Sequence, residues 1–174
     1  MATRFVAQAN TFVRYSALIF WQFNYLLRSD FERIFCGDNV DILIIDDNEM
    51  TRMLLRTILS GDGHTVVGEI STGKAGLDQA LKLLPQVICL DIEMPDLSGI
   101  DILKQVVQKL PKTIVLMVSG KNDMATVKEC LSLGAAGYII KPFTAATLSK
   151  VLREAVARIE QTLSQSAGIP VRPD

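Results

Sequence analysis

Three apolar runs in the second half of the chain do not alternate as a half-exposed strand would. They are "QVICL" (Gln86–Leu90), "TIVLMVS" (Thr113–Ser119) and "AGYIIK" (Ala136–Lys141). A continuously apolar strand is covered on both faces, which implies a parallel sheet with helices packed on each side. The segments around them agree. "VDILII" (Val40–Ile45) and "HTVVGEI" (His64–Ile70) have strand content. Helical spacing over Met50–Leu59, with Met50, Met53, Leu54 and Ile58 recurring, predicts a helix closed by "GDG" at Gly61–Gly63. Further helices are predicted over Lys74–Leu84, capped by Ser71 or Thr72, then Gly99–Leu110, Asp123–Leu133, and from Thr144 or Thr147 to about Leu163. Five strand–helix units thus fill about 125 of the 174 residues. Right-handed crossovers make this a doubly wound α/β fold, a five-stranded parallel sheet with helices on both faces.

In such sheets, sites lie outside the carboxyl ends of the strands. The first strand delivers Asp46 and Asp47 there, the third Asp91, the fourth Ser119, and the fifth Lys141 followed by Pro142. Each has a plain structural reading. An Asp after a strand can cap a helix, Ser119 before Gly120 can be a turn residue, and a lysine can be a solvated charge. Their joint occurrence at equivalent strand ends argues for a site. Three clustered carboxylates repel one another unless a positive charge sits among them. Hard oxygen donors suit Mg²⁺ or Mn²⁺, with several waters retained and a phosphate oxygen accepted. Asp91 is then a candidate nucleophile. Lys141 and the cation supply positive charge to a phosphoryl group, and Ser119 supplies a hydroxyl donor.

The "DD" of "IIDDNE", the "D" of "LDIEMPDLSG", the "SG" of "MVSG" and the "KP" of "IIKPF" resemble, in order and spacing, the receiver domain of two-component response regulators. The resemblance covers Asn39 to about Leu163 and is similar to stand-alone chemotaxis receivers. It implies a flavodoxin-like sheet of order 2-1-3-4-5 and phosphorylation of Asp91 by a sensor histidine kinase or phosphotransferase. It implies metal binding by Asp47, Asp91 and the Glu93 backbone carbonyl, with Asp46 acting mostly through a water. Lys141 would contact the phosphoryl group, and its bond to Pro142 would be cis. Ser119, standing where many relatives carry Thr, would move toward the phosphate, and Tyr138 would swing inward with it. Glu93 and Lys121 resemble the rim that hydrolytic water must pass. A pairing between them would lengthen the phosphorylated lifetime.

Two motifs mislead. "STGKAG" (Ser71–Gly76) lacks the first Gly and the post-Lys Ser/Thr of a phosphate loop. "DIEMPDLSG" departs from a calcium loop at Pro95 and in its late Gly99. His64 is the only histidine, so a phosphohistidine carrier or histidine metal site has little support; it reads as a surface residue at the start of an edge-like strand. Cys36, Cys89 and Cys130 form neither a disulfide framework nor a zinc pattern, which fits a cytoplasmic setting.

Nine of the eleven aromatics lie in the first 35 residues, so a boundary is placed at "CGDN" (Cys36–Asn39). Residues 1–38 are an extension, 39–164 the receiver domain and 165–174 a flexible tail. In the extension, Phe12, Tyr15, Ile19, Phe23 and Leu26, and then Phe20, Leu27, Phe31 and Ile34, recur at helical spacing. This reads as a docking helix, a homodimerisation helix or an interfacial membrane anchor, or else as a non-native stretch from an upstream start. No apolar run reaches the roughly 18 residues of a membrane span, and no small-residue cleavage site marks a secretory signal. A formal net charge of −1 without a basic block gives no argument for nucleic acid. Only eleven residues follow Leu163, so output is expected through a protein partner at the Asp123–Leu163 face, including Lys128, Glu129, Tyr138 and Lys150. Two other classes compete: a constitutive interaction module that retains the acidic site, and a Mg²⁺-dependent aspartyl phosphatase with Glu93 as its second acid.

Overall fold

In the computed structural model of the protein, residues 39–166 are described, with side chains to Arg158; expectations placed on residues 1–38 and on the chain after 166 lie outside them. The elements alternate as β1 Asp41–Ile45, α1 Glu49–Gly61, β2 Thr65–Ile70, α2 Gly73–Leu83 and β3 Val87–Leu90. They continue as α3 Gly99–Lys109, β4 Ile114–Ser119, α4 Met124–Ser132, β5 Gly137–Ile140 and α5 Ala145–Ser166. All strand pairs are parallel, in the order β2-β1-β3-β4-β5. This is the flavodoxin-like order.

The central strands β3 and β4 are buried along their whole length, as their unbroken apolar character predicts. Side chains alternate between the two faces. Leu43, Ile45, Ile88, Leu90, Val115 and Met117 join Leu77 of α2, Ile102, Leu103 and Val106 of α3 and Cys130 of α4 in one core. The alternate set, including Ile42, Ile44, Cys89, Leu116 and Val118, is equally buried and turns to the face covered by α1 and α5. Each helix presents an apolar stripe: Leu55 and Leu59 on α1, and Leu148, Leu152 and Ala155 on α5. Each fully buried Leu or Ile contributes about 1.5–3 kcal/mol of transfer free energy. Cys89 and Cys130 are buried free thiols. Burial, then the Asp46 charge, pushes the Cys89 thiol up to about 12, so it is inert at neutral pH.

Several helix ends differ from the sequence reading. Gly61 is the last residue of α1 rather than its stop. Asp62 is the C-cap, and the left-handed position falls on Gly63 at φ 91°. Asn48, not Asp46, caps α1, accepting from the Thr51 N–H at 3.0 Å. At α2 the cap position is Thr72, but its side chain makes no capping bond and neither does that of Ser71. Asp96, from the loop after β3, takes that place. Its two carboxylate oxygens accept the N–H groups of Gly73 (2.8 Å) and Lys74 (2.9 Å). A cap from another element leaves no trace in local sequence. Those two bonds hold the Asp96 carboxyl below its ordinary range. Its stabilising contribution is therefore full above about pH 4 and is lost as pH falls through the lowered folded value. Urea midpoints of wild type and Asp96→Asn should differ at neutral pH and converge as pH falls below about 4. A gap that stays constant down the acid range would show that Asp96 stabilises by something other than its charge.

His64 precedes β2 on the sheet edge and is half-buried rather than freely exposed, with Nδ1 buried and unpartnered. Among the described residues, no helix is long and apolar enough to cross a membrane.

Candidate acidic site at the carboxyl edge of the sheet

Strand register assembles the site. Ile45 pairs with Leu90, so the next residues, Asp46 and Asp91, leave the sheet side by side. Main-chain bonds extend the ladder one step beyond the strands: Asp46 N–H to Ile70 O (3.0 Å), Asp91 N–H to Ile45 O (2.9 Å), and Lys141 N–H to Ser119 O (2.8 Å). The functional groups are thus held by the sheet's own hydrogen bonding. Asp46 is 1% exposed, Asp91 5% and Ser119 0%, and among the described residues these are the buried polar ones. Asp47 is exposed. Carboxylate oxygens of Asp46, Asp47 and Asp91 all lie within 4.8 Å of one another.

One cation sits among them. Lys141 Nζ is 2.7 Å from Asp46 Oδ2 and 2.9 Å from Asp91 Oδ2. Burial works against the ammonium charge, but the hydrogen bonds and charges of both carboxylates outweigh it and hold the Lys141 pKa above its usual value. At Asp46 the balance is reversed. Burial outweighs the bonds from Lys141 and from the Asn48 N–H, so its carboxyl is pushed up. Asp91 Oδ1 accepts the Ile92 N–H at 2.7 Å and the Glu93 N–H at 3.4 Å. One ammonium therefore pairs with two of the three clustered carboxylates. This donor set, all hard oxygen and open to solvent at Asp47, fits a divalent cation such as Mg²⁺.

Ser119 Oγ accepts the Lys121 N–H at 3.2 Å, and the Tyr138 hydroxyl donates to the Lys121 carbonyl at 2.8 Å. The main chain of Lys121 thus lies between these two side chains. Lys121 Nζ stands 3.9 Å from Glu93 Oε1, with both side chains exposed at the mouth. The Lys141–Pro142 peptide is cis. Asp46, Asp47, Asp91, Glu93, Ser119, Lys121, Lys141 and Pro142, singled out from sequence, lie at this edge, and the Tyr138 hydroxyl reaches it. Two others there had no such reading. Asp96 pins the β3–α3 loop, and Arg52 of α1 donates from Nη1 to the main-chain carbonyls of Asp46 (2.8 Å) and Asp47 (3.0 Å). A cation in the first turn of a helix runs against the macrodipole, the one sequence hint that Arg52 is tied elsewhere.

Fold and site together define a flavodoxin-like domain of the receiver type. The family model described as response regulator receiver domain matches residues 42–153, and the chain belongs to that family, the signalling phosphoacceptor domain of two-component systems. Over 113 residues it is 31% identical to the chemotaxis protein CheY of Thermotoga maritima, covering 65% of this chain and 94% of that protein. Over 122 residues it is 43% identical to protein-glutamate methylesterase/protein-glutamine glutaminase 1 of Geobacter sulfurreducens, covering 67% of this chain but only 33% of that protein. Among solved structures it is similar to a chain of the CheX–CheY–BeF3–Mg²⁺ complex from Borrelia burgdorferi. The TM-score is 0.63 at 27% identity, covering 69% of this chain and 89% of that one.

Proposed function

We propose that this chain is a cytoplasmic response regulator in which Asp91 receives a phosphoryl group from a sensor histidine kinase or a histidine phosphotransferase, switching a protein-binding surface. The observation that carries this reading is the setting of Asp91: buried at the end of β3, aimed at the open edge, and 2.9 Å from Lys141 Nζ. The Borrelia complex, which joins CheY with Mg²⁺, BeF3 and CheX, supports a metal and a protein partner for such a domain. Bound Mg²⁺ or Mn²⁺ would neutralise charge on the phosphoryl oxygens. Asp47, Asp91 and the Glu93 main-chain carbonyl would hold it, with Asp46 mostly through a water.

The chain's own residues do the rest. An Asp91 oxygen forms the P–O bond as the P–N bond to the donor imidazole breaks, the electron pair leaving with the nitrogen. Lys141, kept charged by its two carboxylates, donates to a phosphoryl oxygen. Ser119 accepts from the Lys121 N–H, which leaves its own proton for another phosphoryl oxygen. Movement of Ser119 toward the phosphoryl group pulls on the residue that Tyr138 also holds. That links the site to the face formed by α4, β5 and α5. There Lys128, Glu129 and Lys150 are exposed, along with the apolar Met124, Leu131 and Ile140. A target protein would read that face.

The test is intact-protein mass after incubation with acetyl phosphate and Mg²⁺, for wild type and Asp91→Ala. One added phosphoryl group in wild type, absent from the variant and absent without Mg²⁺, is expected. An equal gain in the variant would move the acceptor elsewhere. The Glu93–Lys121 pair covers the approach of water, so Lys121→Ala should speed dephosphorylation by about two- to fivefold, the range an exposed ion pair can carry. An unchanged rate would remove the rim from the mechanism.

A further inference from the structure

The three carboxylates of the site are not held in the same way. Asp46 is fixed by Lys141 and by the Asn48 N–H on its Oδ1 at 2.9 Å. Asp91 is fixed by Lys141 and by the N–H groups of Ile92 and Glu93. Among the described residues, the carboxylate of Asp47 accepts no hydrogen bond, and the residue is exposed. With no side-chain bond to fix it, the reach of that carboxylate is set by the position of its main chain and by its own rotamers. The main chain on both sides of it is gripped by one group: the Arg52 guanidinium, which donates to the carbonyls of Asp46 and Asp47 from one turn into α1.

We propose that Arg52 is a positioning residue for Asp47, holding the Asp46–Asp47 main chain so that the unbonded carboxylate is preset for a divalent cation. This rests on the reading of Asp47 as a metal ligand. Groups that orient ligands from outside the coordination sphere carry a large share of metal affinity. Both bonds come from Nη1, whose two N–H groups are fixed in the guanidinium plane, whereas the N–H groups of an ammonium rotate on a flexible stem. Charge and positioning predict opposite signs. Arg52 is a cation beside three carboxylates, so by Coulomb attraction alone its loss should tighten binding of Mg²⁺. Loss of positioning should weaken it.

The experiment compares full-length wild type, Arg52→Ala and Arg52→Lys by titration calorimetry with Mg²⁺. It also follows amide hydrogen exchange at Asp47 and Asn48 in metal-free protein. Positioning predicts that both variants bind Mg²⁺ about tenfold more weakly. It also predicts faster exchange at these amides with the lysine failing to rescue. Thermal midpoints confirm that the variants are folded; if the alanine variant does not fold, the lysine variant carries the test. Tighter binding in Arg52→Ala with wild-type binding in Arg52→Lys would make Arg52 a charge effect only and overturn the proposal. Unchanged affinity and exchange in both would overturn it too. A wild type that binds no Mg²⁺ is a separate result, which removes the metal-site reading and this proposal with it.

Discussion

Lys141→Met is expected to lower the stability of the metal-free protein at pH 7.5 by about 3–5 kcal/mol, the cost of leaving buried charge uncompensated. Methionine fills the space of the lysine stem, so the loss comes from charge. Asp46 and Asp91 would remain at 1% and 5% exposure with no cation between them. In wild type the Lys141 pKa is raised, so its contribution is complete at neutral pH and fades only as pH climbs through that raised value. In the variant the buried Asp46, already pushed up by burial, holds a proton in the folded state more readily than in the unfolded state. Stability should then rise as pH falls from about 7.5 to 5.5, because the native state binds more protons. Mg²⁺ should also restore part of the loss. Urea unfolding in EDTA at two pH values, then with Mg²⁺, measures all three. A variant as stable as wild type in EDTA at pH 7.5 would mean that the ion pairs to Lys141 contribute nothing net to folding.

Gly99→Ala should be the most disruptive single methyl addition near the site. A Cβ on Gly99 would lie 1.9 Å from the carbonyl oxygen of Asp91 and 2.8 Å from the Cα of Ile92. Both are backbone, so no rotamer change relieves the clash. The first turn of α3 must retreat from β3, breaking the Gly99 N–H to Ile92 O bond of 3.0 Å. Overpacking against backbone costs about 3 kcal/mol or somewhat more, which is roughly a 10 °C fall in thermal midpoint for a domain of this size. The same retreat displaces the Ile92–Ser98 loop, which carries the Glu93 carbonyl and the Asp96 cap. Phosphorylation by acetyl phosphate should therefore slow in protein that remains folded. A midpoint within a degree or two of wild type would show that α3 shifts without cost. By contrast, Gly120→Ala meets no atom closer than 3.9 Å and should be tolerated, which makes it the control.

Much of this was legible in the chain because its signals are local and periodic. Runs such as "VICL" and "IVLMVS" encode strands covered on both faces, and the residues after them stand at the sheet edge whatever the details of packing. Asp46, Asp47, Asp91, Ser119 and Lys141 fall together by that rule alone. The sequence reading runs one residue long at the start of every strand, at Val40, His64, Gln86, Thr113 and Ala136, and at the end of β5, at Lys141; the other strand ends coincide.

What sequence could not supply were contacts between elements far apart in the chain or turned back on themselves. The cap of α2 was sought in Ser71 and Thr72 because caps are usually the preceding residue, yet Asp96 supplies it from 22 residues away. Arg52 carries no role in the sequence reading, because its bonds form only when the loop before α1 folds back within its reach. The amino-acid sequence by itself determined the alternating fold, the edge at which chemistry collects and the residues that collect there. Those follow from side-chain period and from the polarity of parallel strands. Only the tertiary structure decided which carboxylates share Lys141, which one is left without a bond, and which residues clamp the loops that carry them. Such contacts depend on loop paths and side-chain reach across space, and no period along the chain encodes them.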